Sequence, residues 1–99
     1  MAKGYWITFY RSISNPAAVA EYAKLAGPAI QAGGGRFLSR GTAVRAFEAG
    51  SPQRSVVIEF DSAERAVSTY DSPAYQRALK LLDGAVERDV RILEGVADA

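Results

Sequence analysis

Glu59 sits in one of the most apolar stretches of the chain, Val56-Val57-Ile58-Glu59-Phe60. A carboxylate in such a strand is either buried and paired or turned into a cleft, because an isolated charge is costly away from water. Arg36, Arg40 and Arg54 lie in or beside other strand-like segments. The separation of Arg36 and Arg40 is even, so an unbroken strand puts both on one face. Two readings of this group follow. Arginine can orient a carboxylate-bearing ligand, with Glu59 as base or anchor. Alternatively, an Arg–Glu network holds the sheet register or a dimer, and this structural reading is the favoured one. An arginine partner would lower the pKa of Glu59, and burial without a partner would raise it.

Tyr70 and Tyr75 flank Ser72-Pro73, a break inside a helical pattern. A phenol there could hydrogen-bond a ligand, although aromatics at helical spacing more often belong to a core. The ligand-binding candidates are therefore Arg36, Arg40, Arg54, Glu59, Tyr70 and Tyr75. No catalytic residue can be assigned. Ser72 has no partner base and no nucleophile elbow around it, and its position as a helix cap explains it.

Composition narrows the chemistry. The chain has 99 residues and contains neither histidine nor cysteine. Thiolate catalysis, disulfides and thiolate metal sites are excluded, and the side chain that titrates near neutrality is missing. Acid–base work would fall to a carboxylate, Tyr or Lys with a shifted pKa. Glu48, Glu59 and Asp61 show no spacing that suggests a metal cage, so no metal and no cofactor is expected. The formal charge of +1 argues against nucleic acid or an acidic membrane as partner. Gly33-Gly34-Gly35 follows a helix and precedes a strand, the reverse of a phosphate-binding loop, and reads as a helix stop. Gly35-Arg36-Phe37-Leu38 is a poor match to an RNA-binding motif. The opening residues show no signal peptide, and no stretch is apolar enough to cross a membrane, so the cytoplasm is the expected location.

These residues are positioned by an alternation of strands and helices. Tyr5 to Arg11 has strand composition, with Tyr5, Ile7 and Phe9 on one face and Trp6, Thr8 and Tyr10 on the other. Asn15-Pro16 caps a helix, and Gly27-Pro28 predicts a kink or restart within it. Arg36 to Phe47 reads as a long strand, with a bulge or a tight hairpin at Gly41-Thr42. Ser55 to Phe60 is a strand. Asp61 with Glu64 forms a capping-box-like start to a second helix, whose inner face is Ala63, Ala66, Val67 and Tyr70. Ser72-Pro73 restarts that helix, Asp83-Gly84 stops it, and Arg88 to Leu93 is a last strand. One domain over residues 1–99, with a core over about 3–95, follows from the chain length. Its β-α-β-β-α-β order predicts an α+β, ferredoxin-like antiparallel sheet with two helices on one face.

The other face of such a sheet should turn polar if it meets water. Either choice on the first strand leaves aromatic surface there. An apolar patch of that kind marks an interface or groove, and a two-fold homodimer is the first expectation. Trp6, Thr8, Tyr10, Val57 and Glu59 are taken as the uncovered set, so that a partner sheet would enclose Glu59.

Lys3-Gly4-Tyr5-Trp6-Ile7, Gly34-Gly35-Arg36-Phe37-Leu38-Ser39-Arg40-Gly41, Arg54-Ser55-Val56-Val57-Ile58-Glu59-Phe60 and Tyr70-Asp71-Ser72-Pro73-Ala74-Tyr75 together resemble the DUF1330 family of uncharacterised proteins. The likeness spans residues 3–95. It implies membership of the dimeric α/β-barrel superfamily, in which two ferredoxin-like sheets face each other. Small monooxygenases, haem-degrading enzymes and muconolactone isomerase-like proteins belong to that superfamily, but such functions do not transfer with the fold. Thr42 replaces a usual second Gly, and Leu82 an Arg that often follows the Leu of the last helix. The resemblance implies a homodimer with a small-molecule, anionic pocket. A cofactor-independent monooxygenase or isomerase and a structural or regulatory dimer without catalysis are the alternatives.

Overall fold

A computed structural model describes residues 2–96. Its elements run β1 (Gly4–Ile13), α1 (Pro16–Ala32), β2 (Arg36–Thr42), β3 (Arg54–Phe60), α2 (Ala63–Tyr70), α3 (Pro73–Lys80) and β4 (Val86–Glu94). The four strands form one antiparallel sheet in the order β2-β3-β1-β4. This is the α+β, ferredoxin-like arrangement, with the second helical segment split in two. The helices lie on one face only, and the molecule is a slab 16 Å thin along its shortest axis.

Local chemistry sets most boundaries. Asn15 caps α1 by accepting from the Ala18 amide, and Pro16 fills the first turn, where no amide partner is needed. Pro28 lies inside α1, which nonetheless runs unbroken from Pro16 to Ala32. The expected restart at Gly27-Pro28 does not occur, because packing of Tyr22, Ala26, Ala29 and Ile30 into the core offsets one missing hydrogen bond. The helix ends at Gly33, and Gly34 adopts φ +95°, a left-handed conformation open to glycine. Ser62, not Asp61, caps α2 by accepting from the Arg65 amide, so the expected capping box does not form and Glu64 is left as an acidic residue in the first turn. Thr69 rather than Val67 joins Ala66 on the buried face of α2. Ser72 caps α3.

The core has an aromatic centre. Trp6, Tyr75 and Phe60 are essentially sealed from solvent. The Trp6 and Tyr75 rings meet edge to face at 4.8 Å, and Tyr70 lies 5.0 Å from Tyr75. Gly4 lets β1 pass so close to the Ser62–Ala63 backbone that any Cβ would clash.

Register decides the faces. Trp6 pairs with Ile58 and Thr8 with Val56, and all four are buried beneath the helices. Tyr5, Ile7 and Phe9 therefore point to the open face, with Glu59, Val57 and Ser55 opposite them. The uncovered set expected from the sequence is thus corrected on β1: Trp6, Thr8 and Tyr10 are core, while Val57 and Glu59 do face outward. The bulge is also displaced. It lies between Phe37 and Ser39, and β2 stops at Thr42 rather than Phe47. One extra residue at Leu38 inverts the alternation, so Arg36 opposes Glu59 and Arg40 opposes Val56. Arg36 and Arg40 lie on opposite faces, against the even-spacing expectation.

Candidate functional site

The residues expected to share one site divide between the two faces of the sheet. On the open face, Arg36 donates to Glu59 Oε1 from Nε at 3.1 Å and from Nη2 at 2.9 Å. The Tyr5 hydroxyl donates to Glu59 Oε2 at 3.1 Å, and Arg36 Nη2 also reaches Asp61 at 3.4 Å. The Arg36 hydrogen bonds, partly opposed by desolvation and aided by Tyr5, hold the Glu59 carboxyl below its ordinary range. Donating its hydrogen bond to the Glu59 carboxylate pushes the Tyr5 phenol up, with desolvation second. Every member of this group is satisfied by another member. A second closed group spans β1 and β4, where Asp89 accepts from Arg91 at 2.9 Å and from Arg11 at 3.4 Å.

The covered face holds a cavity of about 40 Å³ between α1 and the sheet. Val19, Tyr22, Ala26 and Ile30 supply its roof from α1. Trp6, Thr8, Tyr10, Val56 and Ile58 form the floor, and Phe37 closes one side. Arg40, Arg54 and Arg88 are its three cations. Among the described residues, no carboxylate comes within salt-bridge range of any of them, and none lines the cavity.

Each arginine is held without a counter-charge. Arg40 lies over the Phe37 ring, 4.6 Å from its centroid. Arg54 has a buried Nε with no hydrogen-bond partner. Arg88 enters from β4 opposite Tyr10, with its guanidinium 5.5 Å from the Tyr10 ring centre and 5.4 Å from that of Tyr22. It donates to Tyr22 Oη at 3.3 Å and to Tyr75 Oη at 3.2 Å. The two phenol oxygens are themselves 2.7 Å apart and share one hydrogen bond. Burial first, and then mutual proximity, pushes the Tyr22 phenol far above its ordinary range. Burial also raises Tyr75, against the pull of Arg88. Both phenols are therefore neutral donors at any ordinary pH.

Of the six candidates, the structure brings Arg40 and Arg54 together at the cavity and places Tyr75 one hydrogen bond behind it. Tyr70 lines a separate, more open groove beside α3 and β4, which it shares with Arg88 and Leu82. Arg36 and Glu59 belong to the opposite face. Arg88, Tyr22 and Thr8 were not among the candidates. Arg88 alternates with Val86, Val90 and Ile92 on the inward face of β4, and a charge in phase with an apolar row was the available signal.

Comparison with solved structures supports the fold. A protein of unknown function from Rhodopseudomonas palustris is similar over 96% of this chain and 83% of its own, with 18% identity and a TM-score of 0.72. A dimeric ferredoxin-like protein of unknown function from Thermobifida fusca matches 94% of this chain and 91% of its own, with 17% identity and a TM-score of 0.65. A Nitrosomonas europaea protein, named provisionally as an antibiotic biosynthesis monooxygenase, matches 98% of this chain and 93% of its own, with 16% identity and a TM-score of 0.64. No curated protein matches. The family model of the domain of unknown function DUF1330 matches residues 3–96, and the chain belongs to that family.

Proposed function

We propose that this chain acts as a two-fold homodimer that binds a small anionic molecule in the cavity beneath α1. The observation that carries the binding half is the set of three guanidinium groups around one cleft with no carboxylate among the described residues to neutralise them. Such charges normally find a partner, because a half-buried cation without one costs stability. A bound anion would supply it.

The dimer half is supported by the open sheet face. Tyr5, Ile7 and Val57 form an apolar strip continued by Phe9 and Leu93, which are 44% and 47% exposed. A second copy laid face to face would cover this strip and enclose the Arg36–Glu59 pair, forming a dimeric α/β-barrel. The Thermobifida fusca likeness, described as dimeric, is consistent with this. Light scattering on the eluting protein tests it, and a monomer at micromolar concentration sinks the dimer. Thermal-shift measurements with small anions test the pocket. Stabilisation that vanishes in Arg88→Gln but persists in Arg36→Gln supports the assignment.

A cofactor-independent enzyme is the second reading, favoured by the likeness to the Nitrosomonas europaea protein. Binding without turnover is preferred because no carboxylate lines the cavity and both buried phenols are held neutral. Exchange of the α-protons of a bound carboxylate for deuterium, followed by NMR, would move the assignment to the enzyme.

A further inference from the structure

We propose that the cavity beneath α1 is a donor-rich site that selects the carboxylate of a small monoanion with an apolar tail. This rests on the pocket reading above and adds the chemical class of its occupant.

The proton inventory carries the argument. Trp6 Nε1 donates to Thr8 Oγ1 at 3.0 Å. Thr8 is buried, and among the described residues no acceptor takes its own hydroxyl proton. Tyr22 and Tyr75 have two phenolic protons but one shared hydrogen bond. Each oxygen also accepts from Arg88, so the second proton must point away from the pair. Tyr75 is sealed and does not line the cavity, whereas Tyr22 does. The free proton is satisfied only if Tyr75 donates to Tyr22 and Tyr22 donates into the cavity. Arg88 spends two N–H groups on the phenols, and a guanidinium has five. Arg54 contributes the buried Nε–H that has no acceptor.

Donors thus outnumber acceptors around one space: Arg40, Arg54 and Arg88 line it with the hydroxyls of Thr8, Tyr10 and Tyr22, and no carboxylate among the described residues does. A group that only accepts is the complement. Ammonium has no acceptor, and an amide wastes its N–H₂ on donors. The enclosed space holds roughly three waters, enough for the carboxylate head, so the tail runs outward past the half-exposed Val19 and Phe37. The walls from Val19, Ala26, Ile30 and Phe37 are apolar. They favour a hydrocarbon tail and disfavour a doubly charged, strongly hydrated phosphate.

Calorimetric titration with butyrate, butyramide, butylamine and inorganic phosphate tests this. Butyrate should bind at least about tenfold more tightly than butyramide, with butylamine and phosphate weaker still, since a hydrogen bond to a charged group exceeds one to a neutral group. Arg54→Met and Tyr22→Phe should each weaken butyrate by about tenfold while changing butyramide little. Near-ultraviolet dichroism of the buried Trp6 checks that both variants keep the native core. If butyramide or butylamine binds as well as butyrate, the pocket stands and the donor-rich, carboxylate-selecting assignment falls. Tighter binding of phosphate overturns the carboxylate class, and failure of all four probes overturns both the class and the pocket.

Discussion

The two faces of the sheet treat arginine in opposite ways. On the open face, Arg36 is 47% exposed yet bonded to two carboxylates, and Arg11 and Arg91 share Asp89. On the covered face, Arg54 and Arg88 are more enclosed, yet Arg88 meets aromatic rings and phenols and the buried Arg54 Nε–H has no acceptor. Solvation predicts the reverse, since an exposed cation needs a partner least. The open-face groups are closed networks, whereas the covered-face cations are arranged around a space. Burial without a counter-charge, rather than the mere presence of arginine in a strand, is what supports the proposed binding role of Arg54 and Arg88.

The comparison breaks most readily at the core. Trp6→Ala on the covered face should cost about 3–5 kcal/mol in chemical denaturation, far more than Ile7→Ala on the open face at concentrations where the protein is monomeric. Equal losses would mean that the open face is as tightly packed as the covered one. Next in size, Ile7→Glu should weaken self-association on the order of 100-fold by setting like charges across the two-fold axis. Sedimentation velocity reads this, and the monomer should keep its helical dichroism. An unchanged sedimentation coefficient would place the interface elsewhere.

A smaller effect separates the arginines themselves. Arg40→Met should weaken butyrate binding by roughly threefold to fivefold, less than Arg54→Met, because Arg40 is exposed at the rim. Arg36→Met should leave butyrate unaffected in the same titration. The smallest effect is the acid limb of stability. Glu59 is held below its ordinary value of 4.5 and Asp89 below 3.8, in each case chiefly by an arginine hydrogen bond. The unfolded chain therefore takes up protons first. The stabilisation is complete above those values and is lost as pH falls through the lower folded ones. Thermal melts across the acid range should show Glu59→Gln flattening the limb below pH 4.5. A limb as steep as wild type would remove Glu59 from the network.

Much of the architecture was legible in the chain because its signals are local. Asn15-Pro16 and Ser72-Pro73 cap helices through atoms three residues away, and the glycines after Ala32 stop a helix by backbone freedom alone. The arginine cluster was only half legible. Arg40 and Arg54 could be named from their strand context, and Glu59 parts from Arg54 by alternation, but Arg36 is separated from Arg40 by the bulge at Leu38, which no residue type there announces. Thr8 and Tyr22 escaped because they are unremarkable in their own segments, Arg88 because its place in an apolar row marks an inward charge without saying what it meets, and the three come to one cavity only across the fold.

The chain by itself determined the order of strands and helices, their caps, and the absence of thiol and imidazole chemistry. These depend on side chains acting on their own backbone. The tertiary structure alone decided which face each strand residue takes, since alternation defines two sets but not which one the helices cover. It also decided that Arg40, Arg54 and Arg88 converge from three strands on one space that no carboxylate among the described residues lines. That convergence depends on register and on a single inserted residue, and neither is written in local composition.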